Sequence, residues 1–158
     1  MELKAKSLII FSVVMIFILL VVPNVFSNST NVISEDKAGD YQYAEIKEQN
    51  TFTWKIGYQE NISTIKENKD NTEELERFRT AVLDIKYLIF KLILVASYFL
   101  IVVITMLTVH KKNKKMLKDG GVIIAILAVT ALSYTIITSI HLNAAFRDAT
   151  YYYMMLTN

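Results

Sequence analysis

Residues 87–142 decide the fold of this chain, and they read YLIFKLILVASYFLIVVITMLTVHKKNKKMLKDGGVIIAILAVTALSYTIITSIHL. Two apolar runs flank a lysine-rich segment that ends in Gly120 and Gly121. Each run approaches or exceeds the length of about 20 residues with which a helix crosses the hydrocarbon core of a bilayer. The pattern therefore predicts membrane helices at residues 87–110 and 122–142, joined by a basic turn at residues 111–121.

The lysines of this turn predict the orientation of the chain, because short loops rich in Lys and Arg stay in the cytoplasm. The amino terminus, with Lys4 and Lys6, is then expected inside and the carboxyl terminus outside, in a multi-pass protein of the plasma membrane. A strong bias of basic residues toward lysine favours a prokaryotic source. Anionic lipid is the expected contact of the turn, and nucleic acid is not, because aromatic and glycine-rich recognition features are missing there. The lysines concerned are Lys111, Lys112, Lys114 and Lys115.

Residues 1–27 have the composition of an export signal: two lysines, an apolar run and small residues before Asn28. The run is also nearly long enough to remain as a membrane anchor. Both outcomes export the segment that follows. The predicted fold is mainly α, a membrane helical bundle of three spans, or of two if the signal is cleaved, with a small external α+β segment.

The exported segment, residues 28–86, is polar and begins with a predicted loop at Asn28–Asp40. From Thr51 to Tyr58 large apolar residues occupy every second position, which is typical of a strand with one buried face. A β-hairpin over residues 41–58 is the prediction. Its aromatic face either packs on the neighbouring helix or the lipid headgroups, or binds a partner protein. The partner-binding candidates on this face are Phe52, Trp54 and Tyr58.

A stalk helix is predicted at residues 72–86. Asn71 is a favourable cap residue, and Glu74, three positions later, completes the pattern of a capping box. Apolar residues then recur at helical spacing, and no helix breaker precedes the next apolar run. The first membrane helix of the hairpin is therefore expected to continue outward.

The second apolar run is rich in small and hydroxylated residues, which allow helix backbones to approach closely in lipid. A stripe with a spacing of four residues predicts the contact with the preceding helix. The helix-packing candidates are Ala131, Thr135 and Ser139 on one side, with Ser97 and Thr105 on the other.

The chain contains no cysteine and two histidines, so thiolate chemistry is excluded and neither a metal site nor a cofactor is predicted. A polar stripe through Tyr134 reaches His141 and, if the helix persists, Asp148. His141 is then either an interfacial structural residue or a base oriented by Asp148 or by Asp84. The tail, residues 143–158, is aromatic and amphipathic, and it is predicted either to anchor at the interface or to dock on a larger partner.

Two hypotheses of function follow. The first is an accessory or regulatory membrane protein without catalytic activity, which binds a larger membrane complex or itself through the third predicted helix and the external aromatic face. The alternative is an intramembrane enzyme that acts on lipid or lipoprotein at the outer leaflet through His141.

Overall fold

The structure, a computed structural model, describes residues 31–49, 51–112 and 114–158. Four strands precede two long helices. The strands are β1 (Val32–Ala38), β2 (Tyr41–Glu48), β3 (Thr51–Tyr58) and β4 (Asn61–Lys66), and the helices are α1 (Thr72–Lys112) and α2 (Lys114–Thr157).

The predicted membrane helical bundle of three spans is wrong as a fold class. The described residues form two helices and one antiparallel sheet with the strand order β1-β2-β3-β4. The pattern of hydropathy predicted too few strands. Half of the residues in these strands are polar, and their hydrogen bonds go to neighbouring strands rather than within a segment. The first predicted span, at residues 1–27, lies outside the described residues.

The predicted hairpin is the centre of a larger sheet. Residues of β2 and β3 face each other from Tyr41↔Tyr58 to Glu48↔Thr51. The segment predicted as a loop contains β1, which pairs with β2 from Ala38↔Tyr41 onward. Gly39 has a φ of +58° in the turn between them, and a Cβ at Gly39 would lie 3.0 Å from the ring of Phe146. Glycine therefore serves both the turn and its contact with α2.

A short connection leads from the end of β4 at Lys66 to the start of α1 at Thr72. The amide of Leu75 donates to the carbonyl of Asn71 at 3.0 Å, the first bond of the helix. The side chain of Asn71, predicted as a cap, instead accepts from the amide of Asn68 at 2.8 Å and donates to the carbonyl of Lys66 at 3.1 Å. Asn71 thus fixes the direction in which α1 leaves the sheet.

The two helices pack against each other as an antiparallel pair. Phe78 near the start of α1 meets Tyr153 near the end of α2, with ring centroids 6.2 Å apart. One series of buried and half-buried positions of α2 recurs in alternating steps of four and three residues, which is the spacing of a coiled-coil seam. These positions are Ile124, Ala128, Ala131, Thr135, Thr138, Leu142, Ala145, Ala149, Tyr152 and Leu156.

The hydrophobic core lies between the sheet and the half of the helix pair that contains the start of α1 and the end of α2. The inner face of the sheet covers α1 with alternate residues of β2 and β3, as expected for a strand with one buried face. Four residues of the sheet and four of α1 dominate the core: Tyr41, Tyr43, Trp54 and Ile56 with Leu75, Phe78, Val82 and Ile85.

Helix α2 continues to Thr157 without a break, so the predicted tail is the last part of a helix. Tyr153 packs on Tyr58 of the sheet, with ring centroids 5.8 Å apart. Tyr152 and Tyr153 are partly buried against the core, so part of the aromatic surface of the predicted tail packs within the chain.

Candidate functional site

The aromatic face predicted to bind a partner lies against the helices. Trp54 exposes 1% of its surface, and its indole Nε1 donates to Glu67 Oε2 at 2.8 Å. Phe52 and Tyr58 are partly buried against the same core. The side chain of Trp54 is therefore unavailable to another molecule in this structure.

A charged network borders Trp54. The guanidinium of Arg79 lies 5.9 Å from the indole centroid, and Arg79 pairs with Glu45 at 3.5 Å and with Glu76 at 2.5 Å. Burial raises the pKa of the Glu45 carboxyl, and the charge of Arg79 only partly opposes this rise. Glu76 and Glu67 raise the pKa further through repulsion. The network joins β2 to α1, but the partial burial of its charged groups costs free energy.

A second ion pair joins β1 to α1. Lys86 Nζ lies 2.8 Å from both carboxylate oxygens of Asp36 in β1. Asp84, a predicted orienting carboxylate, is exposed on another side of α1. The pairing partner of Lys86 is thus a residue of the segment that sequence analysis interpreted as a loop.

The two other predicted catalytic residues are also exposed. Neither His141 nor Asp148 contributes to the core of the described residues. Within this part of the chain, no hydrogen bond or ion pair joins His141 to Asp148 or to Asp84. The described residues thus show no hydrogen-bonded acid–base pair at these three positions, and their catalytic role stays a prediction.

The predicted packing stripe is distributed over two sides of α2. Ala131 is 5% exposed and Thr135 is half-buried, whereas Ser139 is exposed. The seam continues instead through Thr138, which exposes 1% of its surface. On α1, Ser97 is half-buried and Thr105 is exposed.

The hydroxyl groups on these helices bond within their own helix. Ser97 Oγ donates to the carbonyl of Ile93 at 2.8 Å, and Thr138 Oγ1 donates to the carbonyl of Tyr134 at 2.8 Å. Each hydroxyl bonds the carbonyl of the preceding turn, so its polar group is satisfied locally. Close packing of small side chains, rather than hydrogen bonding between helices, therefore joins α1 to α2 at these positions.

Lys91 lies beside two tyrosines that the sequence did not place next to it. Its Nζ lies 4.7 Å from the ring centroid of Tyr134 on α2 and 5.6 Å from that of Tyr87 on α1. Lys91 is the only Asp, Glu, Lys or Arg in residues 87–108 and 121–142. This isolation in an apolar run was a signal in the sequence, but the contact with Tyr134 depends on how the helices pair.

An exposed apolar patch lies at the far end of α2, beyond the part that contacts Lys91. Tyr151, Met154 and Met155 expose 61%, 56% and 53% of their surfaces. Tyr152 and Tyr153 point the other way, into the core. The sequence signal for this patch was the run of tyrosines and methionines, but only the helix shows which of them face outward.

The predicted lipid contacts Lys111, Lys112, Lys114 and Lys115 have side chains outside the described part of the structure. Among the described residues, no group of three or more His, Cys, Asp or Glu side chains has an arrangement that could hold a metal ion. The Tyr151, Met154 and Met155 patch is an exposed apolar surface that lies outside residues 87–108 and 121–142.

Comparisons of the chain with protein-family models, with curated proteins and with solved structures find no match.

Both helices are long and apolar enough to cross a membrane. In the most apolar stretch of each, 6% of the residues in α1 and 11% in α2 are buried. The central helix of a water-soluble domain would instead be covered on most sides by its own chain.

Proposed function

We propose that α1 and α2 cross a membrane as a helical hairpin and carry the sheet on its outer side. The exposed apolar surfaces of residues 87–108 and 121–142 support this placement, because lipid is the medium in which such surfaces are stable. The lysines of residues 111–121 support a cytoplasmic position for this segment, although most of the predicted turn belongs to the adjoining ends of α1 and α2. The sheet and the outer ends of both helices then stand outside the cell.

On this placement, we propose an accessory protein without catalytic activity, which binds another membrane protein through the outward face of α2. One observation carries the proposal: Tyr151, Met154 and Met155 remain exposed although they lie outside the apolar span. At 1.5 Å per residue, Tyr151 stands about 14 Å beyond Leu142 along the helix. Lipid tails do not reach that height, so a protein partner is the natural cover.

The composition of the patch suits a protein interface. Tyrosine and methionine are enriched in interface cores, and the unbranched thioether of methionine adapts to irregular surfaces. Arg147 and Asp148 are also exposed on the preceding turn. They add adjacent charges of opposite sign, which orient a partner more than they strengthen its binding.

The partner surface predicted from sequence is thereby replaced by another surface. Trp54 and its neighbours hold the sheet on the helices, whereas the exposed residues of α2 are free to meet another protein. The partner is either a larger membrane complex or a second copy, and the mass of a cross-linked product separates these outcomes.

Single-cysteine cross-linking tests the proposal, and no other thiol of this chain can react because the chain has no cysteine of its own. Met155→Cys places a thiol in the patch, and Lys55→Cys places one on an exposed strand position as the matched control. With a short cross-linker in intact membranes, we expect a defined higher-mass product from Met155→Cys alone. Adding Tyr151→Asp should reduce that product by about tenfold, the effect of roughly 1.4 kcal/mol.

A product of twice the chain mass identifies a second copy, and a larger one identifies another protein. Equal products from both cysteine positions, or a Met155→Cys product that Tyr151→Asp leaves unchanged, would contradict the proposed interface.

A further inference from the structure

Lys91 carries a positive charge in surroundings that otherwise contain no charged side chain along residues 87–108 and 121–142. Its ammonium lies near two tyrosine rings, with Nζ 4.7 Å from the ring centroid of Tyr134 and 5.6 Å from that of Tyr87. An aromatic ring attracts a cation through the negative charge of its face. The rings orient the ammonium but add no negative charge.

No carboxylate among the described residues pairs with Lys91. The ion pairs of the described part join Arg77 to Glu73, Arg79 to Glu45 and Glu76, and Lys86 to Asp36. The comparison with Lys86 is direct, since it lies five residues earlier on the same helix and has a carboxylate at 2.8 Å. Lys91 therefore has a charge that an anion from outside the described chain can balance.

The position of Lys91 selects the anion. Lys86 contacts Asp36 of β1, and Lys91 lies about 7 to 8 Å further along α1. If α1 enters a membrane below the sheet, this height is that of the outer headgroups and the first carbons of the lipid tails.

We propose that Lys91, with Tyr87 and Tyr134, binds the phosphate group of a phospholipid in the outer leaflet. The inference rests on the proposed placement of α1 and α2 in a membrane, but not on the proposed protein partner. The ammonium pairs with the phosphodiester oxygens, and the tyrosine hydroxyls are available as donors to the same group. Because residues of both helices contribute, the bound lipid also joins α1 to α2 at the base of the sheet.

The test measures lipids retained by the full chain, purified in mild detergent, by native mass spectrometry. The probes are phosphatidylglycerol and a diacylglycerol of the same acyl chains, which lacks the phosphate. Lys91→Gln should weaken retention of the tightest phosphatidylglycerol by about tenfold and leave diacylglycerol unchanged. Lys91→Arg should retain binding, since the charge is kept.

Two controls complete the design. Lys55→Gln removes the same charge from an exposed position of the sheet and should leave phosphatidylglycerol binding as in the wild type. Tyr134→Leu removes one ring without changing charge and should weaken binding by a smaller factor. The lysines of the turn stay unchanged in all variants, so lipids bound there are a common background.

Equal retention by the wild type and Lys91→Gln would overturn the proposal, as would an equal loss with Lys55→Gln. Displacement of the lipid by millimolar inorganic phosphate would assign the site to a soluble phosphate instead. Circular dichroism of each variant establishes that the helices remain folded. The cysteine cross-link of the α2 patch is measured separately, so failure of one proposal is distinguishable from failure of the other.

Discussion

The two halves of the same helix pair differ in what covers them. In the sheet-covered half, residues 72–86 and 143–157, aromatic residues of the strands bury the helices, and Phe78 and Ile56 are 0% exposed. In the apolar half, residues 87–108 and 121–142, the helices cover only each other, and Val122 and Ile123 are 67% and 64% exposed. The seam of α2 runs through both halves with the same spacing, so the difference lies in the third layer rather than in the helix contact.

On the proposed placement in a membrane, each helix meets two solvents, water along one half and lipid along the other. In the sheet-covered half the exposed positions of α1 include Glu73, Arg77 and Asp84, which suit water. In the apolar half most exposed positions are apolar and none is Asp, Glu, Lys or Arg, a composition that suits lipid. The Tyr151, Met154 and Met155 patch breaks this rule, and for that reason we interpret it as a surface for a protein.

The largest expected effect separates the two halves directly. Trp54→Ala should lower the free energy of unfolding of the sheet-covered half by about 3–5 kcal/mol, because it removes a fully buried ring and leaves Glu67 without its indole donor. The apolar half should stay helical, since its packing does not involve the sheet. Hydrogen exchange of β2 and β3, compared with that of residues 92–105, measures both.

The matched control is Tyr98→Ala, which truncates an aromatic residue that is 45% exposed in the apolar half. Its effect on exchange of the sheet should be negligible. If Trp54→Ala accelerated exchange equally in both halves, the two would form one cooperative unit and the comparison would fail.

A second substitution tests the apolar half alone. Ala131→Leu introduces a larger side chain at a position that is 5% exposed in the helix seam, and overpacking of this kind costs about 1–3 kcal/mol. Ser139→Leu adds similar bulk at an exposed position of α2 and should be almost neutral. Unfolding of the helices with increasing sodium dodecyl sulfate in mixed micelles measures the difference, and equal stability of the two variants would argue against the observed seam.

A smaller effect is expected where the sheet meets α2. The hydroxyl of Tyr41 lies 2.7 Å from Thr150 Oγ1, while Thr150 itself donates to the carbonyl of Phe146. Tyr41 is therefore the donor, and Tyr41→Phe should cost about 1 kcal/mol. Thermal unfolding of the full chain in detergent compares it with Tyr98→Phe, whose ring faces outward. A loss as small as that of the control would exclude a contribution of this bond.

The smallest expected effect is a dependence on pH in the sheet-covered half. Because burial raises the pKa of Glu45 above its usual value of 4.5, the folded state holds this proton at higher pH than the unfolded state does. The free energy of unfolding should therefore fall as the pH rises from 4.5 through the raised pKa. Glu45→Gln should lack this decline, and denaturation curves from about pH 4 to about pH 7 test it. A steeper decline in Glu45→Gln than in the wild type would contradict the assignment.

Some features were predictable because their causes are local. The alternation from Thr51 to Tyr58 predicted β3 and its inner face, and the structure places Trp54 and Ile56 in the core. The apolar runs predicted two long helices, which the structure confirms as long and apolar enough to cross a membrane.

Other features depended on contacts between distant residues. The strand β1 has no regular alternation, and it is held by pairing with β2 and by the contact of Asp36 with Lys86, 50 positions later. The exposed patch was equally hidden, because the adjacent Tyr151 and Tyr152 differ in burial: Tyr151 is exposed, whereas Tyr152 is half-buried against the core. The rotation of α2 about its own axis, relative to the sheet, decides which of the two is exposed.

By itself, the sequence determined where the chain is apolar, where it alternates and where a helix can begin, because these properties follow from side-chain hydropathy and backbone preference within a few residues. Tertiary structure decided which faces are covered. The sheet buries Trp54 against α1 and pairs Asp36 with Lys86, but it leaves Lys91 between two tyrosine rings and Met155 exposed. Such choices depend on how separate elements meet, and a linear pattern does not contain that information.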